Sequence, residues 1–145
     1  MAEDSTQARE KMVAEQLEAR GIKDACVLEA MRTVPRDRFI PAELRDHAYD
    51  DGPLPIGADQ TISQPYMVAL TCEVAQLSGV ERVLEVGTGS GYEAAVLSKL
   101  AAQVITIESI PHLYDRARVI LHSVGASNVM AGLPGSRRVA PRQLP

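Results

Sequence analysis

The chain has 145 residues, of which 46% are hydrophobic and 23% charged, with a formal net charge of −4. This length sustains one buried core without a disulfide or metal staple, and the composition excludes a disordered polyelectrolyte. The acidic balance argues against a nucleic-acid partner, and no apolar run approaches the roughly 18 residues that a membrane helix needs. The acidic, polar start is no secretory signal, and Cys26 and Cys72 lack metal-ligand spacing, so both read as buried thiols of a cytoplasmic protein. All 19 acidic residues lie at or before Asp115, whereas residues 130–145 carry three arginines and no acid.

In chain order, residues 7–20 read as a helix, with Ala8, Met12, Val13 and Leu17 on one face and Gly21 ending it. Asp24 caps a second helix through Val27, Leu28 and Met31, which Val34-Pro35 stops. Residues 35–65 hold five prolines and two glycines and read as loop and extended chain, with a short helical turn near Pro41–Arg45. Pro65 then opens a helix to Leu77, with Met67, Leu70, Val74 and Leu77 as its apolar face.

From Arg82 the texture becomes alternating strand and helix. Val83–Val86 reads as a short buried strand, Tyr92–Ala101 as a helix and Gln103–Ile107 as a second strand. Ser109 is placed to cap a further helix, starting at Pro111 and ended by Gly125, whose face is Leu113, Ala117, Ile120, Leu121 and Val124. Asn128-Val129-Met130 begins a third strand that Gly132 cuts short. The fold class expected is α/β: the first half of a doubly wound, Rossmann-like parallel sheet with an N-terminal helical extension. Residues 1–80 and 81–129 are expected to pack as one domain, with 130–145 a separate, disordered tail.

Between the first strand and its helix lies Glu85-Val-Gly-Thr-Gly-Ser-Gly91. Glycines at Gly87, Gly89 and Gly91 allow a tight turn, close ligand approach and N–H groups aimed at that ligand. The alternate spacing differs from the Gly-x-Gly-x-x-Gly of dinucleotide sites and suits a ligand without phosphate. Glu108, ending the second strand, is placed to accept ribose hydroxyls, or is a solvated strand-end acid. Glu85 inside a buried strand needs a partner. Ser63 reads either as a helix cap or as an anchor for a substrate anion. The Asp50-Asp51 pair reads as organising the turn at Gly52-Pro53, and the three histidines show no metal pattern.

The segment VLEVGTGSGYEAAVLSKL (83–100) followed by VITIE (104–108) resembles the cofactor motif of S-adenosylmethionine-dependent methyltransferases. VLEAMRTVPRDRFIP (27–41) and AYDDGPLPIGADQTISQPYMVAL (48–70) narrow the resemblance to the protein-L-isoaspartate (D-aspartate) O-methyltransferase family. The resemblance implies S-adenosyl-L-methionine as cofactor, held by Glu85, Gly87, Thr88, Gly89, Ser90, Gly91 and Glu108. It places the active-site serine on Ser63, with Gln60, Thr61 and Ile62 beside the substrate. It implies methylation of the free α-carboxylate of isoaspartyl residues in damaged proteins, a repair reaction in the cytoplasm.

The resemblance ends near Val129, and the rest reads as the product of a frameshift or truncation, or as a natural basic tail. On that reading the second half of the sheet is missing. Turnover is expected to be weak or absent, with self-association through an exposed sheet edge. The alternatives are a non-catalytic remnant or interaction protein, and a nicotinamide-dinucleotide domain.

Overall fold

The computed structural model describes residues 2–135. Helix α1 (Ala2–Met12) continues through a π-helical turn, Val13–Leu17, and a 3₁₀ turn, Glu18–Arg20, to Gly21 at φ +97°. Helix α2 (Ala25–Thr33) starts as expected, with the Asp24 carboxylate accepting from the N–H groups of Cys26 and Val27. Two 3₁₀ turns follow, Arg36–Phe39 and Ala42–His47.

The next segment forms an antiparallel hairpin of β1 (Leu54–Gly57) and β2 (Gln60–Ile62) rather than plain extended chain. Its turn places Ala58 and Asp59 at φ +52° and +55°, a conformation usually given to Asn or Gly. Helix α3 (Pro65–Ala75) buries Val68, Ala69 and Cys72, while Met67 and Val74 are 47% and 72% exposed. The apolar face read from the sequence is therefore rotated: small side chains face α2 and the 13–17 turn, where backbones approach closely. Cys72 is buried as expected, but Cys26 is exposed at the start of α2.

The α/β half follows its reading closely. Strands β3 (Arg82–Val86), β4 (Gln103–Ile107) and β5 (Val129–Gly132) form a parallel sheet in that order, Val83 opposite Val104 and Val104 opposite Val129. Strand β5 runs to Gly132, beyond the boundary placed at Val129; the expectation for 136–145 lies outside the described residues. Helix α4 (Tyr92–Ser98) packs on β4 and β5, and α5 (Pro111–Ser123) packs on β5. Ser109 does not cap α5, which starts without a side-chain cap; the Glu108 carboxylate accepts from the N–H of Ile110, just before the helix, at 3.0 Å.

One core runs through both parts: Met12, Val13 and Leu17 join Met31, Phe39 and Ile56, and continue to Tyr92, Val96, Val104 and Leu113. On β3 the alternation of strand side chains leaves Leu84 61% and Val86 80% exposed, with Val83 and Glu85 on the opposite, covered face. No described helix is long and apolar enough to cross a membrane.

Candidate functional site

The glycine turn leaves β3 through three left-handed residues, Gly87 at φ +95°, Gly89 at +55° and Gly91 at +90°. Only glycine adopts all three without strain, so the alternate spacing in the sequence is a conformational requirement. Their N–H groups are not aimed outward as the sequence reading has it. Those of Gly87 and Thr88 donate to the Ile107 carbonyl, at 2.7 and 3.2 Å, and that of Gly91 to the Thr88 carbonyl at 2.9 Å. Gly89 donates to Glu108 Oε1 at 2.8 Å, and Tyr92 to Ser90 Oγ at 3.1 Å. The turn thus offers a ligand bare backbone surface rather than a nest of free donors.

Behind the turn runs a hydroxyl chain. Thr106 Oγ1, fully buried, lies 2.6 Å from Glu85 Oε1 and 2.6 Å from Thr88 Oγ1. Thr106 has one proton and gives it to Glu85, so Thr88 donates to Thr106. Burial pushes the Glu85 carboxyl up to about 8, opposed by the Thr106 hydroxyl and reinforced by Glu93 and Glu108. Burial also raises Glu93, which its hydrogen bond with Glu85 partly offsets. Burial thus holds both neighbouring carboxyls toward their protonated forms. Glu85 has found the partner its position demands.

The segment ending β2 meets this turn. A cavity of about 60 Å³ is lined by Thr61, Ile62 and Ser63 on one side, and by Glu85 and Gly87 through Ser90 on the other. Val68, Tyr92 and Glu93 complete it. It has room for a small reacting group and not for a nucleoside. Ser63 is exposed and its hydroxyl has no hydrogen-bond partner among the described residues. The α3 cap position is Gln64, without a side-chain bond, so Ser63 is not a helix cap.

The remaining site residues stand apart from the cavity. Gln60 is exposed on β2. Gly91 is packed under α5, where a Cβ would meet Ala117 and Leu121 at 3.4 Å. Glu108 is 5% exposed and braces the turn from behind. Asp51 pairs with Arg20 and accepts from Gln64, while Asp50 pairs with His47. Two larger hollows, of about 700 Å³ beside α5 and about 620 Å³ beside α1, contain none of the predicted site residues.

The sequence reading overlooked Thr106, Glu93, Tyr92 and Arg36. Arg36 has no exposed surface; its Nε donates to the Ala48 carbonyl at 2.7 Å and its Nη2 to the Ser63 carbonyl at 3.0 Å. Its guanidinium stands 4.9 Å from the centre of the Tyr92 ring. Desolvation lowers its pKa, and no carboxylate pairs with it among the described residues.

A parallel sheet whose first strand runs through a glycine turn into a helix, with an acid ending the second strand, defines a partial Rossmann-like α/β fold. Comparison with known proteins makes the class specific. The family model for protein-L-isoaspartate(D-aspartate) O-methyltransferase matches residues 7–141, and the chain belongs to that family. It is 59% identical over 121 residues to protein-L-isoaspartate O-methyltransferase 1 of Rhodopseudomonas palustris (strain HaA2), covering 83% of this chain and 49% of that protein. It is 57% identical over 124 residues to protein-L-isoaspartate O-methyltransferase 2 of Shewanella sediminis (strain HAW-EB3), covering 86% and 51%. The chain spans about half the length of these curated relatives.

Among solved structures, a protein-L-isoaspartate O-methyltransferase superposes with a TM-score of 0.76 at 29% identity, covering 86% of this chain and 41% of that one. A putative enzyme of the same name from Plasmodium falciparum, in complex with S-adenosyl-L-homocysteine, gives 0.72 at 26% identity, covering 85% and 61%.

Proposed function

We propose that this chain carries the substrate segment and the cofactor turn of an S-adenosylmethionine-dependent methyltransferase acting on the free α-carboxylate of isoaspartyl residues in damaged proteins. The observation that carries this reading is the small cavity in which Ser63 and its neighbours face the glycine turn across the fold. We take residues 1–80 as the substrate side and 81–129 as the cofactor side, and isoaspartyl proteins of the cytoplasm as the partners, with no nucleic acid or membrane.

The residues fit the cofactor. A Cβ on Gly87 would meet nothing within 4 Å and one on Gly89 only Ile56 at 3.7 Å, so neither position crowds the cavity wall. The Glu85–Glu93 pair supplies negative charge beside the place of a sulfonium cation. Glu108 has two of its lone-pair positions taken by N–H groups and retains others for ribose hydroxyls. When bound, S-adenosylmethionine supplies an electrophilic methyl to a carboxylate oxygen, leaving a methyl ester and a neutral thioether.

The chain's own residues then have modest tasks. An α-carboxyl with a reference pKa of about 3.5 is already ionised at neutral pH, so no general base is required. Ser63 donates its free hydroxyl to that carboxylate and fixes its approach; Thr61 and Ile62 shape the mouth and Gln60 lies at its rim. Charges of opposite sign are neutralised as the methyl moves, so any shelter from water at the site favours transfer.

A second reading, a non-catalytic interaction protein, is favoured by the exposed Leu84 and Val86 on the free edge strand β3, through which we propose that the chain self-associates. Calorimetric titration with S-adenosylhomocysteine tests the first reading: micromolar binding by the chain and its loss in Gly89→Val are expected. Absence of binding overturns it, and binding without methyl transfer to an isoaspartyl peptide leaves the second.

A further inference from the structure

Arg36 is a fully buried cation without a counter-ion among the described residues. Its two hydrogen bonds go to backbone carbonyls, and its Nη1 has no acceptor. Neutral donors would serve two carbonyls at far lower desolvation cost, so a charge kept there calls for a use. Its position gives one. Ser63 and Tyr92 both line the cavity, and both rest on Arg36, the first through its carbonyl and the second through its ring face. Arg36 therefore forms the layer directly behind the cavity wall, on the side that Ser63 lines. The groups facing it are Tyr92 and Tyr49, both neutral phenols; Tyr49 in turn donates to Asp37 at 2.6 Å.

We propose that Arg36 is a positioning residue: it fixes the Ser63 loop and lends the cavity an uncompensated positive charge that selects a carboxylate over a neutral group. This rests on the substrate-side part of the reading above, not on the cofactor part. A substrate anion at Ser63 would supply the missing counter-charge without touching the guanidinium. Through a poorly solvated wall the attraction survives screening that would erase it at the surface. Lysine keeps the charge while losing the two-carbonyl fork; methionine keeps the volume and loses both.

The test compares a short isoaspartyl peptide with its counterpart whose α-carboxylate is a carboxamide, each followed by fluorescence anisotropy with and without S-adenosylhomocysteine. Wild-type chain is expected to prefer the carboxylate by at least about tenfold. Arg36→Met abolishes that preference while keeping S-adenosylhomocysteine affinity within about threefold, and Arg36→Lys retains the preference. A wild-type chain that binds neither peptide or does not discriminate overturns the proposal. So does an Arg36→Met chain that discriminates, or an Arg36→Lys chain that has lost discrimination.

Should Arg36→Met not fold, Ser63→Ala decides. Preference that survives it belongs to the charge, and preference that vanishes belongs to the hydroxyl and overturns the proposal. Failure to bind S-adenosylhomocysteine would sink the cofactor reading alone, because the peptide comparison is also made without it.

Discussion

Replacing Glu108 by Gln tests whether this acid is the brace of the glycine turn. Its two oxygens accept from Gly89 at 2.8 Å and from Ile110 at 3.0 Å. Hydrogen bonds to a charged acceptor contribute about 1.5–3 kcal/mol each. Glutamine keeps one carbonyl oxygen and turns its amide NH₂ toward the other N–H. The variant thus loses one bond outright, weakens the second and leaves a donor unsatisfied, a cost of about 2–4 kcal/mol. With an unfolding entropy of about 2.1 cal/mol/K per residue, each kcal/mol lowers the melting temperature of this 145-residue chain by about 3 °C.

The expected drop is therefore about 6–12 °C by circular dichroism, and a drop below about 2 °C would refute the bracing role. Titration with S-adenosylhomocysteine separates the two roles of the residue. Lost affinity at an unchanged melting temperature would make Glu108 a ligand contact only.

Gly91→Ala forces a Cβ into φ +90° against Ala117 and Leu121, so it is expected to cost about 1–2 kcal/mol in thermal denaturation while sparing cofactor affinity. Gly89→Ala meets only Ile56 at 3.7 Å but is strained at φ +55° as well, so it should combine a similar stability cost with lost S-adenosylhomocysteine affinity; retained affinity would count against the division. Glu85 lies about 8 in the folded chain against an ordinary 4.5, so between those values the folded state binds more protons and stability falls as pH rises. Urea midpoints at pH 5.5 and 8.5 should show this slope, at most about 1.4 kcal/mol per pH unit, and Glu85→Gln should flatten it; parallel slopes would refute the buried pair. Leu84→Lys with Val86→Lys should leave the melting temperature unchanged and shift light-scattering mass toward monomer, and an unchanged mass would exclude the β3 edge as the contact.

What was legible in the sequence divides by the physics that fixes it. Strands β3 and β4 and the glycine turn were readable because apolar runs and left-handed positions leave their mark residue by residue. The hairpin at 54–62 was not, because its turn places Ala58 and Asp59 where Asn-Gly would have announced it. The face of α3 was read half correctly: Leu70 and Leu77 pack against the core, but Met67 and Val74 are exposed. The buried centre is Val68, Ala69 and Cys72, smaller residues that allow close packing. Ser109 looked like a cap, yet the cap position of α5 falls one residue later, on Ile110, with no side-chain cap, and the fixed φ of Pro111 opens the helix instead. Arg36 gave no signal at all: in Pro35-Arg-Asp-Arg38 nothing distinguishes the buried arginine from Arg38, which reaches Ser123 at the surface.

The alternation along β3 also separates two properties that the sequence reading had joined. An open first strand was expected to compromise the site and to drive association together. In the sheet, however, Glu85 shares the covered face with Thr106, while Leu84 and Val86 point to the opposite side. The hydroxyl chain, the Glu85–Glu93 pair and the Ser63 cavity are all assembled on that covered face, by strands, helices and loops of this chain. The free edge and bare face concern a different surface. Lysines at 84 and 86 are therefore expected to leave the cavity in place, so the proposed ligand binding and the proposed self-association should respond to different substitutions.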